Sequence, residues 1–175
     1  MSIGLMTNED QAVVWRGPML MGALQQMLTQ VQWGALDCLL VDLPPGTGDV
    51  SMTLAQKAAV DGAIIVSTPQ DVALLDARKG IDMFTQLKVP VLGMIENMST
   101  HICSNCGHEE HIFGHGGVQA EAEKLGVPLL AGIPLHLDIR LASDGGAPIV
   151  VSKPDSPQAQ AFRDMARRMI AQGVA

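Results

Sequence analysis

Apolar residues fall into two rhythms along this chain. Five short, branched runs are nearly free of polar interruption: Ile3–Met6, Ala35–Val41, Ala63–Ser67, Val89–Ile95 and Leu129–Ile133. Runs of this length without alternation predict strands covered on both faces, as in a parallel sheet. Between them the spacing changes to three and four. Over Val72–Leu87 the positions Ala73, Ala77, Ile81, Phe84 and Leu87 make one apolar stripe, which predicts a helix. Further helices are expected over Pro18–Leu28, over Val50–Ala59 behind a cap at Asp49, and over Gly117–Leu125, closed by Gly126. A last helix is expected to open with Ser156 as N-cap and Pro157 in its first turn. Its apolar side would be Phe162, Met165, Ala166, Met169 and Ile170.

Strands alternating with helices predict an α/β fold, a doubly wound and mostly parallel sheet with helices on both faces. The chain has 175 residues, enough for one domain. One segment breaks the rhythm. Ser99 to Gly117 is polar and rich in Cys and His, and reads as an insertion between a strand and the following helix.

Composition narrows the classes of function. Aromatics are only 3%, and 11 Met help fill an aliphatic core. The net charge of −7 argues against a nucleic-acid surface, which needs a clustered basic face. Arg163, Arg167 and Arg168 are the one basic cluster, and they suit the solvated face of a terminal helix. No apolar run reaches the ~20 residues of a membrane helix, and the opening lacks the pattern of a secretory leader. Three cysteines, two of them as C-x-x-C, fit a reduced, cytoplasmic chain better than a disulfide framework. Cys38, inside an apolar run, is expected to be a buried, inert thiol.

Two strand ends carry polar residues, and ligands of doubly wound folds bind beyond such ends. Asp42 closes "CLLVD" and is followed by "LPPGTGD". An Asp there can hold Mg²⁺ through water, with Gly46 and Gly48 turning N–H groups toward a terminal phosphate. The alternative is a tight turn whose Asp caps the next helix. Asn97 ends "VLGMIEN" and offers both a donor and an acceptor to an adenine edge, or simply makes a turn. The phosphate-cradling loop G-x-x-x-x-G-K-[ST] does not occur. In "GPMLMGAL" the two glycines have its spacing, but Ala23 and Leu24 replace Lys and Ser/Thr, so this stretch reads as the start of a helix.

The insertion holds "CSNCGHEEHIFGHGG". Cys103 and Cys106, three apart, can present both sulfurs to one centre. Two thiolates are half of a tetrahedral zinc site or half of the ligands of a [4Fe–4S] cluster. The other half could come from the same pair in a second subunit, or from His111 and His115 as a Cys₂His₂ zinc knuckle. A redox dithiol is a third reading.

Together "LDCLLVDLPPGTGDV", "STPQDVALLDARKGIDMF", "VPVLGMIENMS", "CSNCG", "IFGHGG" and "SPQAQAFRDMARR" resemble the Mrp/ApbC family. These are ATP-dependent iron–sulfur cluster carriers, relatives of MinD and ParA in the deviant Walker-A P-loop group. The resemblance runs from Ile3 to Arg168. It implies a P-loop NTPase-like fold and a homodimer that binds ATP and Mg²⁺. It also implies a [4Fe–4S] cluster bridged by two C-x-x-C pairs and passed to apo iron–sulfur proteins. By position, Asp42 and Gly46 would serve the Mg²⁺ and γ-phosphate side. Asn97, Pro134 and Leu135 would serve the adenine side, and Cys103 and Cys106 would hold the cluster, with zinc a substitute in air-purified protein. The family's Gly-rich Lys/Ser loop has no counterpart here. Residues 1–175 are therefore expected to be one partial domain, the C-terminal part of a longer protein, inactive as an ATPase by itself and exposing apolar surface.

Overall fold

The computed structural model describes residues 1–6, 17–44, 47–103 and 105–174. They form two compact units, Met1–Val60 and Asp61–Ala175.

The first unit is helical. A single 3₁₀ turn covers Ile3–Met6, followed by α1 (Gly17–Gln30) and α2 (Asp49–Lys57). The decoy glycines of "GPMLMGAL" do lie in a helix. Leu24 and Leu54 are buried where α1 and α2 pack. Two strand predictions fail in this unit. Ile3–Met6 is a turn, and Ala35–Val41 is irregular chain without a strand partner among the described residues. Leu36, Leu39, Leu40 and Val41 are exposed, Leu40 to 76%. Cys38 is exposed with them, so it is not the buried thiol its neighbours suggest. A strand exists only beside a hydrogen-bonding neighbour; an apolar run supplies the side chains but not the ladder. The expected Asp49 cap is also displaced. The N-cap is Gly48, in extended conformation, and Asp49 occupies the first helical turn, where its charge suits the dipole.

The second unit carries the sheet. β1 (Ala63–Ser67), α3 (Asp71–Gln86), β2 (Val91–Ile102), β3 (Glu109–Glu110), α4 (Gly117–Leu125), β4 (Leu129–Leu135), α5 (Leu137–Asp144), α6 (Ile149–Ser152) and α7 (Pro157–Ala171) follow in order. β2 is central. It pairs in parallel with β1 and with β4, and its far end pairs antiparallel with β3, so the sheet is mixed. β1, α4 and the start of α7 fall where the sequence puts them. β2 runs seven residues beyond the predicted end at Ile95, because the insertion folds back on it as a hairpin.

Two irregularities shape β2. The β1 register shifts between Ala63 and Ile64, and the β4 register shifts between Met94 and Ile95, which leaves Leu130 without a Cα partner opposite it. Gly93 lies between them with φ +155°. A Cβ on Gly93 would come within 2.7 Å of both Leu130 Cγ and the Pro128 carbonyl oxygen. This glycine marks a close approach of β4.

Among the described residues Met94, Leu130 and Val118 are the largest fully enclosed side chains. Ile95, Leu130, Ala131 and Ile133 form a core under α7, which contributes Phe162, Met165 and Met169. Ala166 and Ile170, expected on the same stripe, are exposed instead; the buried side of α7 starts one turn earlier, at Ala159. On α3 the buried residues are Leu74, Ala77, Ile81, Met83 and Phe84, with Ala73 only half-buried. The α7 start is as read: Ser156 Oγ accepts the Ala159 N–H at 3.1 Å and Pro157 opens the helix. Gly126 closes α4 with φ 68°.

Candidate functional site

The thiol hairpin grows directly out of β2. After Ile102 the chain turns and returns as β3, with His101 opposite Glu110 and Ile102 opposite Glu109. The Cys103 N–H donates to the His108 carbonyl at 2.9 Å, and the Gly107 N–H donates to the Cys103 carbonyl at 2.8 Å. Gly107 has φ 71°, which closes the turn at little steric cost. Cys103 is half-buried and Cys106 exposed.

Both thiols belong to the turn at the tip. The backbone N–H of Asn105 holds the Cys103 thiol below its ordinary range; the Cys106 N–H and the Cys106 side chain act in the same direction. Partial burial and the charge of Glu110 oppose this without reversing it. Donors aimed at a sulfur favour the thiolate, the form that binds metal.

The histidines of the alternative zinc reading are turned elsewhere. His111 Nδ1 donates to the Ser99 carbonyl at 3.1 Å, which ties the return of the hairpin to β2. Its ring lies 4.2 Å from that of His115. Among the described residues no three His, Cys, Asp or Glu side chains converge on a common point, so the Cys₂His₂ knuckle is not assembled. His101 is half-buried. It sits in the sheet between β3 and β4, with Nδ1 buried and unpartnered. His136 caps α5, accepting the Asp138 N–H at 3.1 Å.

Asn97 does not end its strand, but it ends the regular ladder. The β1 pairing stops one residue earlier, at Glu96 opposite Ser67, and Met98 adopts φ 54°. Asn97 Oδ1 accepts the Met98 N–H at 3.0 Å. In the β4 register Asn97 lies opposite Ile133, with Pro134 next along β4; the register then shifts, and Leu135 pairs with His101, both Pro134 and Leu135 being half-buried. Asn97 and Pro134 are neighbours across the two strands, and Leu135 lies further along. Asp42 belongs to the first unit, exposed in irregular chain and not at a strand tip. Gly46 lies outside the described residues.

Two buried glutamates escape a reading by motif. Glu96, 6% exposed, accepts the Val118 N–H of α4 at 3.1 Å. Glu121 on α4 pairs with Arg78 on α3 at 2.6 Å, and this bond holds its carboxyl below the ordinary range. The signal for Glu96 was a lone acid inside "VLGMIENM", an otherwise apolar run. Of the predicted basic cluster, Arg168 donates to the Leu130 carbonyl and Arg163 to the Pro154 carbonyl, both at 2.8 Å. The Arg168 guanidinium ties the terminal helix to β4, and that of Arg163 ties it to the turn that precedes it. No described helix is long and apolar enough to cross a membrane.

A family model of NUBPL iron-transfer P-loop NTPases, of the ParA group, matches residues 1–170. The chain belongs to that family. An iron-sulfur cluster carrier protein of Salmonella typhimurium is 55% identical over 171 residues, which are 98% of this chain and 46% of that protein. A nucleotide-binding protein of Archaeoglobus fulgidus, solved with ADP, is similar in structure with a TM-score of 0.70 at 39% identity, over 82% of this chain and 58% of that one. The septum site-determining protein MinD of Pyrococcus horikoshii, solved with Mg-ADP, is more distant at 31% identity and a TM-score of 0.51, over 66% of this chain and 44% of that one. The α/β sheet is therefore of the P-loop NTPase kind. The chain spans about half the length of such curated relatives and shares more with the cluster carriers than with MinD.

Proposed function

We propose that this chain is the cluster-holding part of an iron–sulfur carrier. Cys103 and Cys106 bind one edge of a [4Fe–4S] cluster, the cargo, and the same pair from a second copy binds the other. The cluster then passes to apo iron–sulfur proteins in a reducing, cytoplasmic setting. The observation that carries this reading is the placement of both cysteines in one tight hairpin turn, closed by the Cys103–His108 and Gly107–Cys103 backbone bonds, with Cys106 exposed. Two thiolates are half of a four-thiolate set. A two-fold axis through the tip would supply the other half. The exposure of Cys106 suits both a shared cluster and its transfer to an acceptor.

Nucleotide binding belongs to the same proposal. ATP would lie beyond the strand ends of the sheet unit, its adenine against Asn97 and Pro134 with Leu135 next along β4; the family resemblance assigns the Mg²⁺ and γ-phosphate side to Asp42 and Gly46. Release of Oδ1 from the Met98 N–H would let Asn97 present its amide to the base. Hydrolysis needs a phosphate-cradling loop from residues other than these 175.

Anaerobic reconstitution with iron and sulfide tests the carrier reading. The expected product is a coloured dimer holding about two iron atoms per chain, lost in Cys103→Ser and in Cys106→Ser. A colourless monomer that retains zinc through Cys103 and Cys106 would refute it.

A further inference from the structure

We propose, resting on the carrier reading for its functional consequence, that Glu96 and Gly117 are positioning residues that fix the thiol hairpin. They close the insertion at its base. The chain leaves the sheet core at Glu96 and re-enters it at Val118, 22 residues later, and the two ends are joined by one bond from the Val118 N–H to Glu96 Oε2. Both residues are buried, Val118 completely. A buried carboxylate is costly unless it is hydrogen-bonded, and the first turn of a helix is where a negative charge is best tolerated. Glu96 therefore holds the start of α4 against the end of the regular β2 ladder.

Gly117 sets the distance at which this bond can form. A Cβ at this position would run into the carbonyl oxygen of Pro69 and lie 3.1 Å from Leu74 Cδ1. Pro69 belongs to the turn between β1 and α3, so α4 begins in direct contact with that turn. Gly116 just before it has φ 68°. The double glycine of "GHGG" thus has two separate reasons: a left-handed cap, then a close approach. The Arg78–Glu121 pair locks α4 to α3 one turn further on. The hairpin is tied by Cys103 with His108, by the β2–β3 pairing, by Thr100 with Glu109 and by His111 with Ser99, and at its base by Glu96 with Val118. Only the base is joined to α4, whose Gly117 abuts the β1–α3 turn.

The chain is to be reconstituted as above, and two quantities measured on it and on Glu96→Ala, Glu96→Gln and Gly117→Ala: the rate at which an iron chelator strips the cluster, and amide exchange at Cys103, Gly107 and Val118. Glu96→Ala and Gly117→Ala should strip about ten-fold faster, the lower range for a lost supporting bond at a metal site. Their hairpin amides should exchange faster as well. Glu96→Gln keeps an acceptor for Val118 and should stay close to the unsubstituted chain in both. Folded Glu96→Ala with unchanged stripping and exchange would overturn the proposal, as would Glu96→Gln behaving like Glu96→Ala. If Glu96→Ala does not fold, Gly117→Ala and Glu96→Gln decide by the same criteria. If the unsubstituted chain takes up no cluster, the carrier reading fails, and the exchange rates alone decide the anchoring.

Discussion

Adding one methyl group at Gly93 tests the packing of the strand that carries the site. In Gly93→Ala the new Cβ would stand 2.7 Å from Leu130 Cγ and 2.7 Å from the Pro128 oxygen, on a backbone with φ +155°. Backbone in a glycine-only region costs about 1–3 kcal/mol, and overpacking a core costs a similar amount. The expected loss is about 4 kcal/mol. The converse change, Leu130→Ala, empties the same space. Leu130 is 1% exposed. Removing three carbons at about 0.8 kcal/mol each gives roughly 2.4 kcal/mol, and the cavity raises it to about 3–4 kcal/mol. The two changes should not add. In the double variant the alanine at 93 fills part of what the leucine vacated, and only the Pro128 oxygen remains in its way. A sum of about 7–8 kcal/mol should shrink to about 5–6 kcal/mol, a coupling of about 2 kcal/mol between neighbours. Urea titration followed by circular dichroism measures it, with an excluded osmolyte added to keep the variants folded at the start. Strict additivity within about 0.5 kcal/mol, the behaviour of distant sites, would show that Gly93 and Leu130 do not share that space.

Other changes isolate single interactions. Ser156→Ala removes the acceptor for the Ala159 N–H and should cost about 1 kcal/mol, read as a lower urea midpoint at unchanged slope. Glu121 is held below the ordinary carboxylate range by Arg78, so its contribution is present at neutral pH and is lost as pH falls below that range and through the depressed value. Glu121→Gln should therefore lower stability at neutral pH and flatten its decline in acid, as followed by thermal melts across pH. Cys106→Ala deletes a side-chain donor to the Cys103 sulfur, so the pH at which Cys103 becomes rapidly alkylated should rise; mass spectrometry of timed alkylation reads it, and an unmoved profile would place the Cys106 side chain away from that sulfur.

Local signals were readable where the element depends on its own residues. The αL glycine after α4, the Ser-Pro start of α7 and the continuous run of β1 each act within a few positions of themselves. Reading failed where an element needs a distant partner. Ala35–Val41 has strand composition, yet without a neighbouring ladder among the described residues it is irregular and exposed. Asp42 and Cys38 were misplaced for that same reason. β2 outran its prediction because β3, Glu109–Glu110, carries no strand propensity and becomes a strand only by pairing with His101 and Ile102. The C-x-x-C spacing announced a metal pair, but it left the zinc knuckle open; the bond from His111 to Ser99, which turns that ring toward the strand, exists only in three dimensions.

β2 also sets how the two halves of the proposed chemistry relate. Asn97 lies in β2 and Cys103 just beyond its end, six positions further along. At about 3.3 Å per residue their Cα atoms are separated by at most about 20 Å, so a few residues suffice to link a nucleotide on Asn97 to a cluster on Cys103. The strand alone is a poor lever, since its left-handed Met98 interrupts the ladder between the two sites. The shorter physical link is lateral. The turn after β1 touches Gly117, and Glu96, adjacent to Asn97, holds Val118 at the far end of the insertion. A displacement of Asn97 by a base would reach Glu96 first and the hairpin through α4. In a longer protein with its phosphate loop, Glu96→Gln should leave nucleotide-dependent cluster release largely intact, and Glu96→Ala should uncouple it while nucleotide affinity is retained. Equal loss of affinity and of release in Glu96→Ala would show that the glutamate acts only on Asn97 and not on the thiols.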